Sequence, residues 1–197
     1  MNPWNSLEIV KLVASLLTPI AVAVVGLWIN RRLKKFEQLQ WANQKVVEKR
    51  LVVFDQIAPL LNDLLCYFTY VGCWKDLTPP DVVKLKRGLD RIAYVNAPLF
   101  PPAFLDRYNA FIELCYRPFA GWIQDAKLLT LTERRKEAAS TSWKAEWDSC
   151  FAESSECYDP KKVQDAYWEL VSYLAGELGI GIQLESVPVG KIPFNIR

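Results

Sequence analysis

The side chains with the most distinctive chemistry are two clusters of cations. Lys84, Arg87 and Arg91 recur at three and four residues, so on a helix they share a face, with Lys86 at its side. Arg134, Arg135 and Lys136 form a second, contiguous cluster. Guanidinium and ammonium groups held together recognise phosphate through charge-assisted hydrogen bonds. Aromatic residues such as Tyr94 and Trp143 could stack bases beside them. The chemistry on offer is therefore binding of a nucleotide or oligonucleotide. The same residues would also make ordinary solvated helix faces, and spacing alone does not say whether the two clusters converge.

Bond-making chemistry is harder to find. The chain has no histidine. That removes Ser-His and Cys-His nucleophile pairs and every zinc set that uses imidazole. Neither GxxxxGK[ST] nor GxGxxG occurs, so no glycine loop that cradles phosphates is visible. The acidic residues are scattered. The five cysteines (Cys66, Cys73, Cys115, Cys150 and Cys157) contain no CxxC. Cys66 and Cys73, like Cys150 and Cys157, are seven apart, a helical-face spacing that suits packing better than coordination. An odd number of cysteines in a cytosolic domain reads as reduced thiols. The expectation is a protein that is not an enzyme, with no metal and no cofactor.

The element that must position everything else is the uncharged run Leu12–Ile29, LVASLLTPIAVAVVGLWI. At 1.5 Å per residue it spans about 27 Å, close to the roughly 30 Å hydrocarbon core of a bilayer. Ser15 and Thr18 can bond back to their own turn. The reading is a transmembrane helix; a buried core helix and a cleaved signal peptide are the alternatives. Arg31, Arg32, Lys34 and Lys35 follow at once, whereas Glu8 and Lys11 precede it. The excess of Lys and Arg marks the C-terminal side as cytoplasmic. Residues 1–11 become an external tail. Trp4 and Trp28 bracket the span as interfacial aromatics, and Lys11 can snorkel outward. Lys11, Ser15, Thr18, Val22 and Val25 lie along one line of the helix. Ser15, Pro19, Ala23 and Gly26 form a neighbouring line of small residues, which lets membrane helices approach closely. In an assembly the first line, with Ile29, would line a pore; a lone anchor is the alternative.

Charge separates the N-terminal span and its junction from the rest of the chain. Residues 1–35 carry five Lys and Arg against one Glu, and residues 36–197 carry 19 against 21 acidic residues. The net +2 of the chain thus belongs to the membrane junction, and the rest has no bulk field to attract nucleic acid. About 160 residues remain after the junction, enough for one domain with its own core.

The periodicity predicts a junction and long connecting helix over residues 30–58. Its apolar stripe, Leu33, Phe36, Leu39, Val47, Leu51, Phe54 and Ile57, needs burial against its own domain or against copies of itself. Pro59 should kink or end that helix. Leu60–Trp74 reads as a core helix, with a second membrane element as the alternative. Thr78-Pro79-Pro80-Asp81 starts a helix to about Tyr94. Further helices are expected at about Pro102–Tyr116, at Thr132–Phe151 with Trp143 and Trp147 one turn apart, and from Asp159-Pro160 to Leu178, stopped by Gly179. Residues 122–131 should be irregular or a short helix. The tail, residues 180–197, should be extended, with room for one strand pair. The fold class expected is mainly α: an N-terminal transmembrane helix over 12–29 continuing into a compact helical cytosolic domain over 59–197.

This plan of short outer tail, single span, basic junction and compact helical domain resembles the small membrane effectors of bacterial anti-phage systems. It is most similar in plan to the channel-forming effector of Hailong systems. The resemblance covers the architecture of the whole chain. Its supporting residues are Ser15 and Thr18 in the span and the two cation clusters. It implies a homotetramer in the bacterial inner membrane, forming an ion channel controlled by a nucleic-acid product of a partner nucleotidyltransferase. The other function class is a membrane-anchored scaffold or regulator that holds a cytosolic protein partner.

Overall fold

The computed structural model describes residues 6–118, 121 and 125–180. The chain is mainly helical. Its elements are α1 (Ser6–Thr69), α2 (Pro79–Asn96), α3 (Ala103–Cys115), β1 (Tyr116–Arg117), β2 (Lys127–Leu128), α4 (Glu133–Ala139) and α5 (Pro160–Glu177). Two compact units divide it, Met1–Val46 and Val47–Arg197. Trp4 and the expected extended tail from 181 onward lie outside the described residues.

In the first unit α1 is long and apolar enough to cross a membrane by length and composition. Its described side chains are exposed in the single chain. The stripe residues Leu33, Phe36 and Leu39 belong to this unit and are exposed.

The second unit holds the core. The last turns of α1 bury Val53, Ile57, Leu61, Leu64, Tyr67 and Phe68, which recur at three and four residues and form one face. Val47 and Leu51, from the same expected stripe, stay exposed, whereas Phe54 packs on the core and Ile57 is fully buried. α1 does not stop at Pro59, and the apolar run from Leu60 is its continuation to Thr69. A proline inside a helix costs about 3 kcal/mol. Full burial of Ile57, Leu61 and Leu64 on either side, at about 1.5–3 kcal/mol each, outweighs it.

The other helices follow their caps. Thr78 and Asp81 form a reciprocal capping box with Pro79 at the first helical position, so α2 starts where expected and runs on to Asn96. Asp159 accepts from the Lys161 amide at the start of α5. Gly179, at φ 69°, ends that helix: its N–H donates to the Gly176 carbonyl and the Ile180 N–H to the Ala175 carbonyl. α3 packs along α5, with Phe111 meeting Tyr167 edge to face.

Two expectations are corrected. The helix expected over 132–151 ends at Ala139. Ser140 takes φ 47°, and three short 3-10 turns come after it, Ser140–Ser142, Ala145–Cys150 and Ser154–Glu156. Ser140-Thr141-Ser142 supplies hydroxyls that compete for the backbone groups a helix needs. The core gains from the break, because the Trp143 ring settles on Phe151 at 6.0 Å and packs against the cluster. Residues 122–131 are not helical where described: Lys127–Leu128 pairs antiparallel with Tyr116–Arg117, in the register Tyr116 to Leu128. Leu128 is fully buried and also bridges Phe151.

Candidate functional site

The second cation cluster divides in three directions. α4 is short, so consecutive residues point different ways. Arg135 turns inward and is 4% exposed. Its Nη1 donates to Tyr70 Oη at 2.9 Å, Thr130 Oγ1 at 3.1 Å and the Leu131 carbonyl at 2.6 Å. Its Nη2 donates to the Tyr67 carbonyl, at the C-terminal end of α1. The guanidinium also lies over two rings, 4.1 Å from the Tyr67 centroid and 4.5 Å from that of Tyr70. All four hydrogen-bond partners are neutral oxygens, and Arg135 Nε has no partner. The Tyr67 hydroxyl, in a side chain 1% exposed, has none either. Burial raises its pKa, against the lowering effect of Arg135, so the phenol keeps its proton.

Arg134 and Lys136 stay at the surface. Arg134 covers the outer side of the Tyr70 ring at 4.9 Å. Lys136 pairs with Asp148 at 2.8 Å and lies 5.6 Å from the Trp143 ring centroid. Asp148 also accepts from the Trp143 indole N–H at 3.1 Å, which fixes that ring. The Lys136 hydrogen bond, helped by that of Trp143, holds the Asp148 carboxyl below its usual range.

Of these groups, Tyr67, Arg135 and Trp143 line a cavity of about 340 Å³. Trp74, Trp143 and Trp147 form its aromatic walls, Tyr67 and Arg135 lie on its inner side, and Lys75 adds a second cation. Trp143 and Trp147 meet edge to face at 5.4 Å. A neighbouring cavity of about 650 Å³ shares Trp74 and Lys75 and adds Tyr70, Val71, Arg134 and Glu137. The end of α1 supplies Tyr67 and Tyr70, the turn after it Trp74 and Lys75, α4 the arginines, and the 3-10 segment the other two indoles. What the arrangement can do is hold a planar group against indole faces while a guanidinium and an ammonium meet an anion.

The first cation cluster does not join this cavity. Lys84 pairs with Asp81 at 3.8 Å, Lys86 with Asp90 at 2.6 Å, and Arg87 with Asp125. Arg91 is exposed. The two clusters, whose convergence the spacing left open, do not come together: carboxylates neutralise most of α2, because its cations sit one turn from acids or opposite Asp125. Tyr94 is not at the cavity either. Its hydroxyl donates to Asn109 and its ring meets Tyr108 edge to face. Of the two stacking candidates, Trp143 alone lines it.

In α1 the candidate pore residues Val22, Val25 and Ile29 are exposed in the single chain, as are Lys11, Ser15, Arg31, Lys34 and Lys35. Val24 and Leu27 are exposed to a similar degree, so exposure does not single out one face. Arg32 lies 5.1 Å from the Trp28 ring centroid. Thr18 lies within α1, with its side chain outside the described residues.

Sequence reasoning missed Tyr67, Tyr70, Trp74, Lys75 and Trp147 as site residues. Trp74-Lys75 sits just past an apolar run and reads as its end. The legible signal was the pair Trp143 and Trp147 beside Arg135. Among the described residues no three Cys, Asp or Glu side chains gather to hold a metal ion. No protein-family model matches this sequence, and neither a curated protein nor a solved structure is similar to it.

Proposed function

We propose that this protein is a membrane effector: α1 crosses the bacterial inner membrane, copies of the chain assemble into a gated ion pore, and a nucleotide or nucleic-acid ligand at the helical domain controls it. Anti-phage defence, with a partner nucleotidyltransferase supplying the ligand, is the setting that the resemblance implies, as is the tetramer. The function needs no catalytic group in this chain.

The observation that supports the reading is the exposed apolar surface of α1 from Val22 to Ile29 beside the exposed collar Arg31, Arg32, Lys34 and Lys35. A side chain such as Val22, 67% exposed, needs lipid or another copy around it. The collar favours the anionic cytoplasmic leaflet, by about 1 kcal/mol per charge, and sets the N terminus outside. One helix cannot enclose a pore, so conduction requires the assembly. Ser15 and Thr18 would wet the outer half; Val22, Val25 and Ile29 would form an apolar inner half that closes by dewetting.

The test expresses the full chain in bacteria and follows membrane potential. Depolarisation is expected, and Val22→Asn should raise the leak severalfold, because a polar group hydrates the constriction, whereas Val24→Asn should change it much less. An unchanged potential with parent and both variants, despite membrane insertion, would point to the scaffold reading instead.

A further inference from the structure

The cavity beside α4 has features that packing alone does not require. A buried arginine ordinarily pairs with a carboxylate, because its desolvation is costly. Arg135 has none; its contacts are carbonyls, hydroxyls and aromatic faces, and its Nε is left without a partner. Lys75, exposed on the same cavity, adds a second cation to its lining. The same lining carries three indoles, Trp74, Trp143 and Trp147. Two like charges on one lining repel a cation, so an aromatic cage for a quaternary ammonium does not fit. An anion joined to a flat ring does: the ring takes the indole faces and the anion takes the guanidinium and the ammonium. At about 340 Å³ the space lies at the small end of ligand sites, and suits a single nucleotide unit rather than a length of strand.

The same arginine holds the end of α1. Its Nη2 occupies the Tyr67 carbonyl, one of the last four that the helix leaves open. Its Nη1 holds Tyr70, whose φ of 59° is unusual for a bulky side chain and lets the Val71 N–H close back on the Cys66 carbonyl at 3.2 Å. Trp74, a wall of the cavity, meets the Tyr70 ring edge to face at 5.3 Å. A strained residue of this kind persists only while its surroundings hold it.

We propose that the cavity binds one nucleobase-phosphate unit, and that Arg135 transmits its arrival to the last turn of α1 by exchanging contacts on Tyr67 and Tyr70 for contacts on the ligand. This rests on the nucleotide-sensing part of the function proposed above and specifies how that site acts. The unit could be a free mononucleotide or the end of an oligonucleotide. A ligand shifts the state of α1 only through its different affinity for the held and released turns.

The test uses the full chain in detergent micelles, with adenosine 5′-monophosphate, adenosine, inorganic phosphate and a six-residue single-stranded DNA of mixed sequence as probes. Calorimetry should show saturable binding of the monophosphate or of the DNA, at least tenfold tighter than of adenosine or phosphate alone. Whichever of the two binds more tightly identifies the source of the unit. Lys75→Ala, at an exposed position that leaves the core intact, should weaken binding about tenfold, and Trp147→Ala by a similar factor. Hydrogen exchange at the Val71 amide should quicken at least threefold at saturation in the parent. In Arg135→Lys, which keeps the charge but loses the planar fork, that response should vanish even at saturating probe. Absence of binding by both nucleotide probes, or binding of phosphate alone with the same affinity, overturns the site. Binding with unchanged exchange at Val71 overturns the transmission. Binding and the Val71 response in a protein that never depolarises cells would leave this inference standing and remove the pore.

Discussion

The two cation clusters look alike in the linear sequence and differ in the folded chain. On α2, Lys84, Lys86 and Arg87 each find a carboxylate, and the helix presents a neutralised face. On α4, Arg135 goes inside without a carboxylate and Arg134 lies on an aromatic face, while Lys136 pairs with Asp148 beside the Trp143 ring. The difference teaches that a run of basic residues becomes a site through what surrounds it. Acids one turn away or on a facing segment make a neutralised surface; aromatics at the ends of neighbouring elements make a lined cavity.

The largest effect that would sharpen this contrast is at Arg135. Arg135→Ala strands the buried Tyr67 carbonyl and Thr130 hydroxyl and empties the space between two rings. A loss of about 2–4 kcal/mol in urea unfolding is expected, against less than about 0.5 kcal/mol for the exposed Arg91→Ala. Equal effects at the two positions would break the distinction between the clusters.

A smaller effect tests whether the α2 pairs are structural or merely neutralising. Asp90 accepts from Lys86 and also from the Tyr108 hydroxyl at 2.7 Å, and Tyr108 is wholly buried. Asp90→Ala should therefore cost about 1–3 kcal/mol. Lys86→Met, which leaves that hydroxyl bonded, should cost under about 1 kcal/mol. A double-mutant cycle on the well-exposed Arg87–Asp125 pair should give a coupling of about 0.5 kcal/mol or less. A coupling several times larger would make α2 more than a solvated face.

The smallest effect concerns pH. Hydrogen bonds from Lys136 and Trp143 lower the Asp148 pKa from its ordinary 3.8. A carboxylate whose pKa is lowered by folding contributes stability that is present above 3.8 and lost as pH falls through the lower folded value. The tryptophan emission of the parent should thus be flat from pH 7 to 5 with respect to this group. The acid transition should be less steep in Asp148→Asn, which has no proton to take up there. Identical acid transitions in the two proteins would show that Asp148 does not hold Trp143.

Much of the architecture was legible because it rests on local rules. Thr78, Pro79 and Asp81 cap α2 by their own short side chains and fixed φ, and Gly179 closes α5 because it takes φ 69° without a Cβ in the way. The uncharged run from Leu12 is apolar whatever it touches, and α1 holds it as helix. Only tertiary structure decided that α1 passes through Pro59, that residues 140–150 leave the helix, and that Lys127–Leu128 joins a strand pair. In each case burial of distant partners outweighs a local preference of a few kcal/mol. The candidate site belongs to the second kind. Arg135 follows Arg134 in the chain, yet its role depends on Tyr67, Trp74 and Trp147, which are brought to it by three separate elements. Spacing along one helix carries no information about them, because side chains far apart in sequence meet only when the core between them has packed.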